Sequence, residues 1–537
     1  MSCLGGLYNS KNQFSGILLK QMPVFSKLLS FNAFLMRYSL LLLGCLFLGN
    51  SLMGQKNYES RQAALNFLPA FCDFLAMPCD ANNPPELEAN IEWCEQQFSQ
   101  RGFTVKHLPT AGIEVLLATY EVNPDLPEVL FYVQIDGQPV DASRWANGAP
   151  YTPMLGKPTE EGYTFLEELP TDFASVDPSY RLFSRAASDA KGPIAMFLAA
   201  WDHMQQKGRQ PAYNVKVIMD TEEELGSPNL PPVVIAEREA LSADHFVILD
   251  GPPHISNPPT LVFGARGIAT ARITVYGPRV PLHSGHYGNY APNPALRMAQ
   301  LLASMKNDAG VVTIPYWYDG ITLSESVKNT LAAVPDKLEE INHKLGFAAP
   351  DQVGGSLQEA IQYPSLNVRG LSSGWVGAAV RTIIPANAVA NLDIRLVKES
   401  DPERLMELLQ AHIRAQGYYL ITDGREPTDE ERDQYPRIAS FAYKVAYGAF
   451  RTPLDAPTGQ WLEGALRQTL KEDIVKIRTH GGSIPIAPFV ETLDVPAVIV
   501  PLVNPDNNQH SPNENLMLSN YFRGVEACYG ILTTPIP

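Results

Sequence analysis

Four near-continuous apolar runs, each closed by an acid or a polar loop, constrain this chain more than any other feature. Val129 to Ile135 ends at Asp136, and Val215 to Met219 leads into Asp220-Thr221-Glu222-Glu223-Glu224. Phe246 to Leu249 ends at Asp250, and Ala497 to Val503 opens a polar loop that reaches His510. Runs without polar alternation fit strands buried on both faces of a sheet. Helical patterns lie between them. The clearest runs from Pro193 to Met204, with proline in its first turn, where its missing N–H costs nothing. Tyr58 to Phe103 is also helical, broken at Pro84-Pro85. Strands alternating with helices predict an α/β sheet with helices on both faces.

The middle of the chain has a different period. Ile268 to Tyr276 and Val389 to Val397 alternate apolar and polar residues, as half-exposed antiparallel strands do. Helical patterns at Asn293–Met305 and Glu403–Ala415 accompany them. With 537 residues the chain exceeds one ordinary domain. The expected organisation is an N-terminal extension (1–54), a sheet domain in two parts (58–265 and 424–537), and a smaller α+β domain inserted at 266–423. The charge- and proline-rich stretch Gly424 to Tyr435 reads as the return linker.

Composition excludes some functions. A formal net charge of −16 with no basic cluster repels phosphate backbones, so no nucleic acid is expected as a partner. Met36-Arg37, the apolar run Tyr38 to Gly49 and the exit Asn50 to Gln55 read as a secretory signal, with Met36 as an alternative initiator. The run is short for a bilayer, so no stable membrane insertion is expected. Gly44-Cys45 weakly resembles a lipoprotein site, but Leu46-Phe47-Leu48 continues the apolar run past it. The location expected on these grounds is exported, periplasmic or extracellular. Export would permit oxidation of Cys72, Cys79, Cys94 and Cys528, though apolar helical contexts suit buried free thiols equally.

In open α/β sheets, ligands bind beyond the carboxyl ends of the strands. Asp136, Glu222-Glu223-Glu224 and Asp250 each follow an expected strand, Asp189 precedes the helix that opens at Pro193, and His510 follows a late strand. Any one such acid could simply cap a helix or form a turn. Several carboxylates gathered in one cleft cannot all stay ionised without compensation, and a metal ion held by carboxylates and histidine supplies it.

Five segments resemble the co-catalytic metallopeptidase family of carnosinases, cytosolic dipeptidases, aminoacylases and glutamate carboxypeptidases. They are Phe183 to Gly192 (FSRAASDAKG), Glu223 to Ser227 (EELGS), Leu282 to Gly285 (LHSG), Gly481 to Pro485 (GGSIP) and His510 to Glu514 (HSPNE), in family order. The resemblance implies a zinc-exopeptidase-like sheet domain with an inserted ferredoxin-like lid that dimerises. It implies an exopeptidase or dipeptidase with a divalent ion or two, zinc foremost and manganese as the alternative. Asp189 would bridge two ions, Glu224 and His510 would complete one, and Asp250 would help hold the other. Glu223 would be the general base, and Asp136 would be catalytic with it. His283 would stabilise the carbonyl oxygen, reaching a neighbouring subunit in dimeric relatives. Gly482 and Ser483 would line the substrate, a small peptide. Two other readings stand beside this one: an amidohydrolase of N-acyl amino acids, and a non-catalytic binding protein of the same fold.

The chain departs from the family at its first metal motif, HxD, which here is Gln134-Ile135-Asp136. Residues i and i+2 of a strand face the same way, so Gln134 still addresses the site, but an amide oxygen is a weaker zinc donor than imidazole. The second site could then hold a harder ion, stay empty, or mark a lost activity. Ala386 stands where carnosinase-like relatives carry arginine against the substrate carboxylate. Arg381 and Arg395 lie nearby and could substitute for it; Arg395, alternating in a strand, reads rather as a structural surface or interface residue.

Overall fold

The computed structural model describes residues 59–146 and 148–537. The expected leader and extension (1–54) lie outside the described residues. Helices at 59–75 and Pro85–Gln100 come first, joined through Pro84. Six strands of one sheet follow: β1 (Thr104–Leu108), β2 (Val115–Tyr120), β3 (Glu128–Gln134), β4 (Asn214–Asp220), β5 (His245–Ile248) and β6 (Thr260–Val262). The chain then departs for a second sheet, made of β7 (Gly267–Tyr276), β8 (Asn367–Ser372), β9 (Asn387–Leu396), β10 (Tyr419–Ile421) and β11 (Ile438–Tyr447). It returns to the first as β12 (Val475–Ile477) and β13 (Ala497–Ile499).

The first sheet has the order β1-β2-β4-β3-β5-β13-β6-β12. Its centre is parallel: β3 pairs with β4 and β5, and β5 with β13. All four apolar runs are therefore interior strands. Alternate side chains serve two cores. Val129, Phe131 and Val133 face the cluster that includes Trp201 and Tyr521, while Leu130 and Tyr132 face a second one with Phe246 and Phe489. Each such fully buried side chain contributes about 1.5–3 kcal/mol. The helix expected at Pro193–Met204 spans Lys191–Gln206 and packs beneath the sheet against Leu518–Thr533. A Cβ at Gly524 would sit 2.1 Å from Met196 Sδ, so glycine sets how closely these helices approach.

The second sheet is ordered β8-β9-β7-β11-β10, and β7 shows the expected alternation of buried and exposed residues. Helices Pro294–Ala303 and Pro402–Ala415 close its core through Met298, Leu301, Leu405, Leu409 and Ile413. The path back differs from expectation. Asp429–Gln434 is a helix with a Thr428–Glu431 capping box rather than a linker, and Ile438–Tyr447 still pairs with β7. The second sheet thus continues past Asp423. Cys72, Cys79, Cys94 and Cys528 carry free thiols. Among the described residues no helix is long and apolar enough to cross a membrane.

Candidate metal centre

The site lies at the carboxyl edge of the central parallel strands. Asp136 sits two residues beyond β3 and is fully buried. Its carboxylate accepts the N–H groups of Glu223 (3.2 Å) and Glu224 (2.9 Å), clamping the single 3-10 turn Glu223–Leu225. Gly226 closes that turn at φ 81°, a conformation glycine adopts without strain. Asp220 braces it from the other side, accepting the Thr221 N–H at 2.7 Å and the Tyr132 hydroxyl at 2.8 Å. Of the three consecutive glutamates, Glu222 turns away and accepts from Asn229 at 2.7 Å, leaving Glu223 and Glu224 for the cleft.

Asp189 and His510 are brought together by a small antiparallel sheet. Arg181–Phe183 pairs with Asn515–Met517, so the loop before the helix Lys191–Gln206 meets the loop after β13. Glu514, fully buried, accepts the N–H groups of Ala186 (3.0 Å), Ser188 (2.9 Å) and Asp189 (2.9 Å) and pairs with Arg185 at 2.6 Å. His510 stands in the left-handed region at φ 58°. Its Nε2 lies 2.9 Å from Asp189 Oδ2 and 3.3 Å from Glu224 Oε2. Asp189, Glu224 and His510 each place a donor atom within 4.8 Å of the others, the only such trio among the described residues.

A cleft of about 260 Å³ opens beside this trio. Asp189, Glu223, Asp250, His510, Gly482 and Ser483 line it. Arg395 and His480 line it as well. Arg395, read from its alternation as a surface or interface residue, is half-buried, and its Nη1 donates to Ser483 Oγ at 2.6 Å. His480 Nδ1 accepts the Gly482 N–H at 3.1 Å, and a Cβ at Gly482 would press on that ring at 3.0 Å. The Thr479-His480-Gly481-Gly482 string was the available signal for His480. Gln134 lies behind the trio, its Nε2 donating to Asp189 Oδ1 at 3.1 Å. His283 lies apart from the cleft-lining residues, its ring against His286 at 4.6 Å. Arg381 stacks on Trp375 at 4.7 Å and is also absent from the lining.

The electrostatics fit a cation. Burial, then the charges of Asp250, Asp189, Glu224 and Asp136, hold the Glu223 carboxyl well above the usual range. Burial followed by Asp189 pushes Glu224 up to about 8 and Asp250 up to about 7. The hydrogen bond to Asp189 raises His510 to about 9. Crowded carboxylates that retain protons in this way are what a divalent ion would relieve. One imidazole nitrogen and two carboxylate oxygens with an open side form a donor set that suits such an ion.

Comparisons with known proteins place the chain beside metal-dependent peptidases. Residues 263–419 match the M20 peptidase dimerisation domain. The Cys-Gly metallodipeptidase dug1 of Schizosaccharomyces pombe is 24% identical over 419 residues, 77% of this chain and 80% of its own length. Human Beta-Ala-His dipeptidase is 24% identical over 77% of this chain and 75% of its own. Among solved structures, the M20 metallo-carboxypeptidase Sso-CP2 of Sulfolobus solfataricus superposes with a TM-score of 0.69 at 24% identity, over 87% of this chain and 98% of that one. Human carnosine dipeptidase 1 superposes with a TM-score of 0.67 at 22% identity, over 89% and 98%. The chain is thus similar to the M20 metallodipeptidases over most of its length, which bears out the family resemblance read from its sequence. It is an enzyme, which removes the reading as a non-catalytic binding protein. The comparisons overturn the expected export: the Cys-Gly metallodipeptidases of three yeasts, matched over 77%, 65% and 81% of this chain, are cytosolic enzymes.

Proposed function

We propose that the chain is a metal-dependent dipeptidase acting on short peptides with a free carboxyl terminus. The observation that carries this reading is the Asp189–Glu224–His510 trio beside a cleft that Arg395 and Ser483 also line. Asp189, Glu224 and His510 would hold the ion. Zinc suits their nitrogen and carboxylate donors, with manganese as the alternative. When bound, a divalent ion acidifies water towards neutrality and polarises a carbonyl.

The chain's own residues do the rest. Glu223 is the general base: it takes the proton of the attacking water and passes it to the leaving amine nitrogen. Asp136 is a positioning residue, since its two hydrogen bonds fix the backbone that carries Glu223 and Glu224. Arg395 receives the substrate carboxylate in a charge-assisted pair, beside Ser483 and the Gly482 backbone. Asp250 flanks Asp189 on the cleft wall. His283 serves a second subunit: in a homodimer joined through the second sheet it reaches the partner cleft and donates to the carbonyl oxygen. A cleft of about 260 Å³ accepts a dipeptide-sized ligand.

An N-acyl amino acid also ends in a carboxylate and would meet Arg395 in the same way. The test compares dipeptides such as Cys-Gly and β-Ala-His with their C-terminal amides and with N-acetyl amino acids. Dipeptide turnover that requires a divalent ion and collapses on amidation supports the proposal. A purified protein that binds no divalent ion, and that none activates, sinks it.

A further inference from the structure

Gln134 is buried behind the trio, and the proposed reaction does not use its chemistry. Its side chain is buried, its Nε2 donates to Asp189 Oδ1 at 3.1 Å, and its Oε1 has no hydrogen-bond partner. Hydrogen bonding sets this amide orientation. Turned over, Oε1 would face a carboxylate oxygen and the bond would be lost. The two oxygens of Asp189 are therefore committed differently: Oδ2 faces His510, while Oδ1 is occupied by an N–H.

We propose that the Gln134 amide takes the place of a second cation, so that this chain binds a single divalent ion, at Asp189, Glu224 and His510. This inference rests on the reading of the trio as a metal centre. Besides the trio, the polar side chains acting on Asp189 include Gln134, bonded to its Oδ1, and Asp250, close enough for its carboxylate to feel the Asp189 charge. Asp250 already accepts the Gly251 N–H at 2.6 Å through one oxygen. What remains there is one carboxylate oxygen and a neutral amide, short of the three protein donors a catalytic zinc site uses. The amide N–H supplies partial positive charge to Asp189 Oδ1 without a metal. An imidazole at position 134 would instead present a donor nitrogen beside Asp189 Oδ1 and Asp250, completing a second set of three.

The test is metal stoichiometry. The full chain is dialysed against zinc and then against metal-free buffer, and bound metal is measured by plasma mass spectrometry. The same is done for Gln134→His and Gln134→Ala, with circular dichroism melting to confirm folding. The inference expects about one ion per chain in the parent and in Gln134→Ala, and about two in Gln134→His. Manganese loading gives a second readout: electron paramagnetic resonance of the parent shows isolated ions, and that of Gln134→His a coupled pair. Two tight ions in the parent overturn the inference while leaving the hydrolase reading intact. A folded Gln134→His that still holds one ion also overturns it. No ion in the parent overturns the metal-centre reading itself. Should Gln134→His fail to fold, the parent's stoichiometry decides alone.

Discussion

Glu514 and Asp189 lie 325 residues apart, yet the Glu514 carboxylate accepts the Asp189 backbone N–H at 2.9 Å. The same carboxylate takes two further N–H groups of that loop and the Arg185 guanidinium. An acid four residues beyond His510 therefore sets the backbone on which Asp189 stands. Glu514→Gln should leave Arg185 buried without its counter-ion and cost about 3–5 kcal/mol. Denaturant unfolding checks the stability loss, and titration with zinc should show weakened binding. Unchanged values for both would show that this pair does not organise the site.

Glu223→Gln keeps the shape of the side chain and removes its ability to take a proton. Turnover of dipeptides should fall by about 10²–10⁴. Bound metal and melting temperature should stay near those of the parent, because Glu223 is outside the trio. A variant that keeps more than a tenth of the parental rate would assign the base elsewhere.

Arg395→Ala removes the only arginine among the cleft-lining residues. For substrates with a free carboxylate, kcat/KM should fall roughly 10- to 100-fold, the equivalent of one charge-assisted hydrogen bond. C-terminally amidated substrates, already poor, should be unaffected. An equal loss on both would make Arg395 a structural support of Ser483 and not a substrate contact.

The stability of the metal-free chain should fall as pH rises. Glu224, pushed up to about 8, and Asp250, pushed up to about 7, bind protons more tightly folded than unfolded. Their contribution is full below the unfolded carboxyl range and is lost through neutrality. His510, raised to about 9, acts with the same sign, being stabilising while protonated and losing that benefit towards pH 9. In chelator, the melting temperature should therefore decline from pH 5 to pH 9. Added zinc should reverse the slope, since deprotonated ligands bind it best. A chelated chain that grows more stable with pH would contradict this arrangement.

Much of the fold was legible because a parallel strand buried on both faces leaves an unbroken apolar run. Val129 to Ile135 and Phe246 to Leu249 could hardly be anything else, and acids placed directly after them marked the carboxyl edge. Legibility ended where meaning depended on what another segment brings. Arg395 alternates in β9 like any half-exposed residue, and only the arrival of Ser483 makes it part of the cleft. Ile438–Tyr447 follows a charged, proline-containing tract that looked like a linker, and its last residues are largely exposed, so its pairing with β7 left little pattern to read. For Gln134 the sequence showed the substitution but could not show which end of the amide meets Asp189.

The two strands that carry the chain between its sheets are paired with each other, Gly264 with Arg451 and Ala265 with Phe450. Traffic in both directions thus passes through one narrow ribbon. A Cβ at Gly264 would lie 2.5 Å from the Phe450 carbonyl oxygen, and one at Gly267 would lie 2.6 Å from that of Tyr447. The ribbon has no room to thicken. Any rocking of the smaller sheet, which carries Arg395, against the trio must bend there, like a strap flexing at its thinnest point. Gly264→Ala would stiffen or spread that strap, and because the Gly264 carbonyl accepts the His480 N–H at 2.7 Å, the change would reach the cleft wall as well as the arginine that faces it.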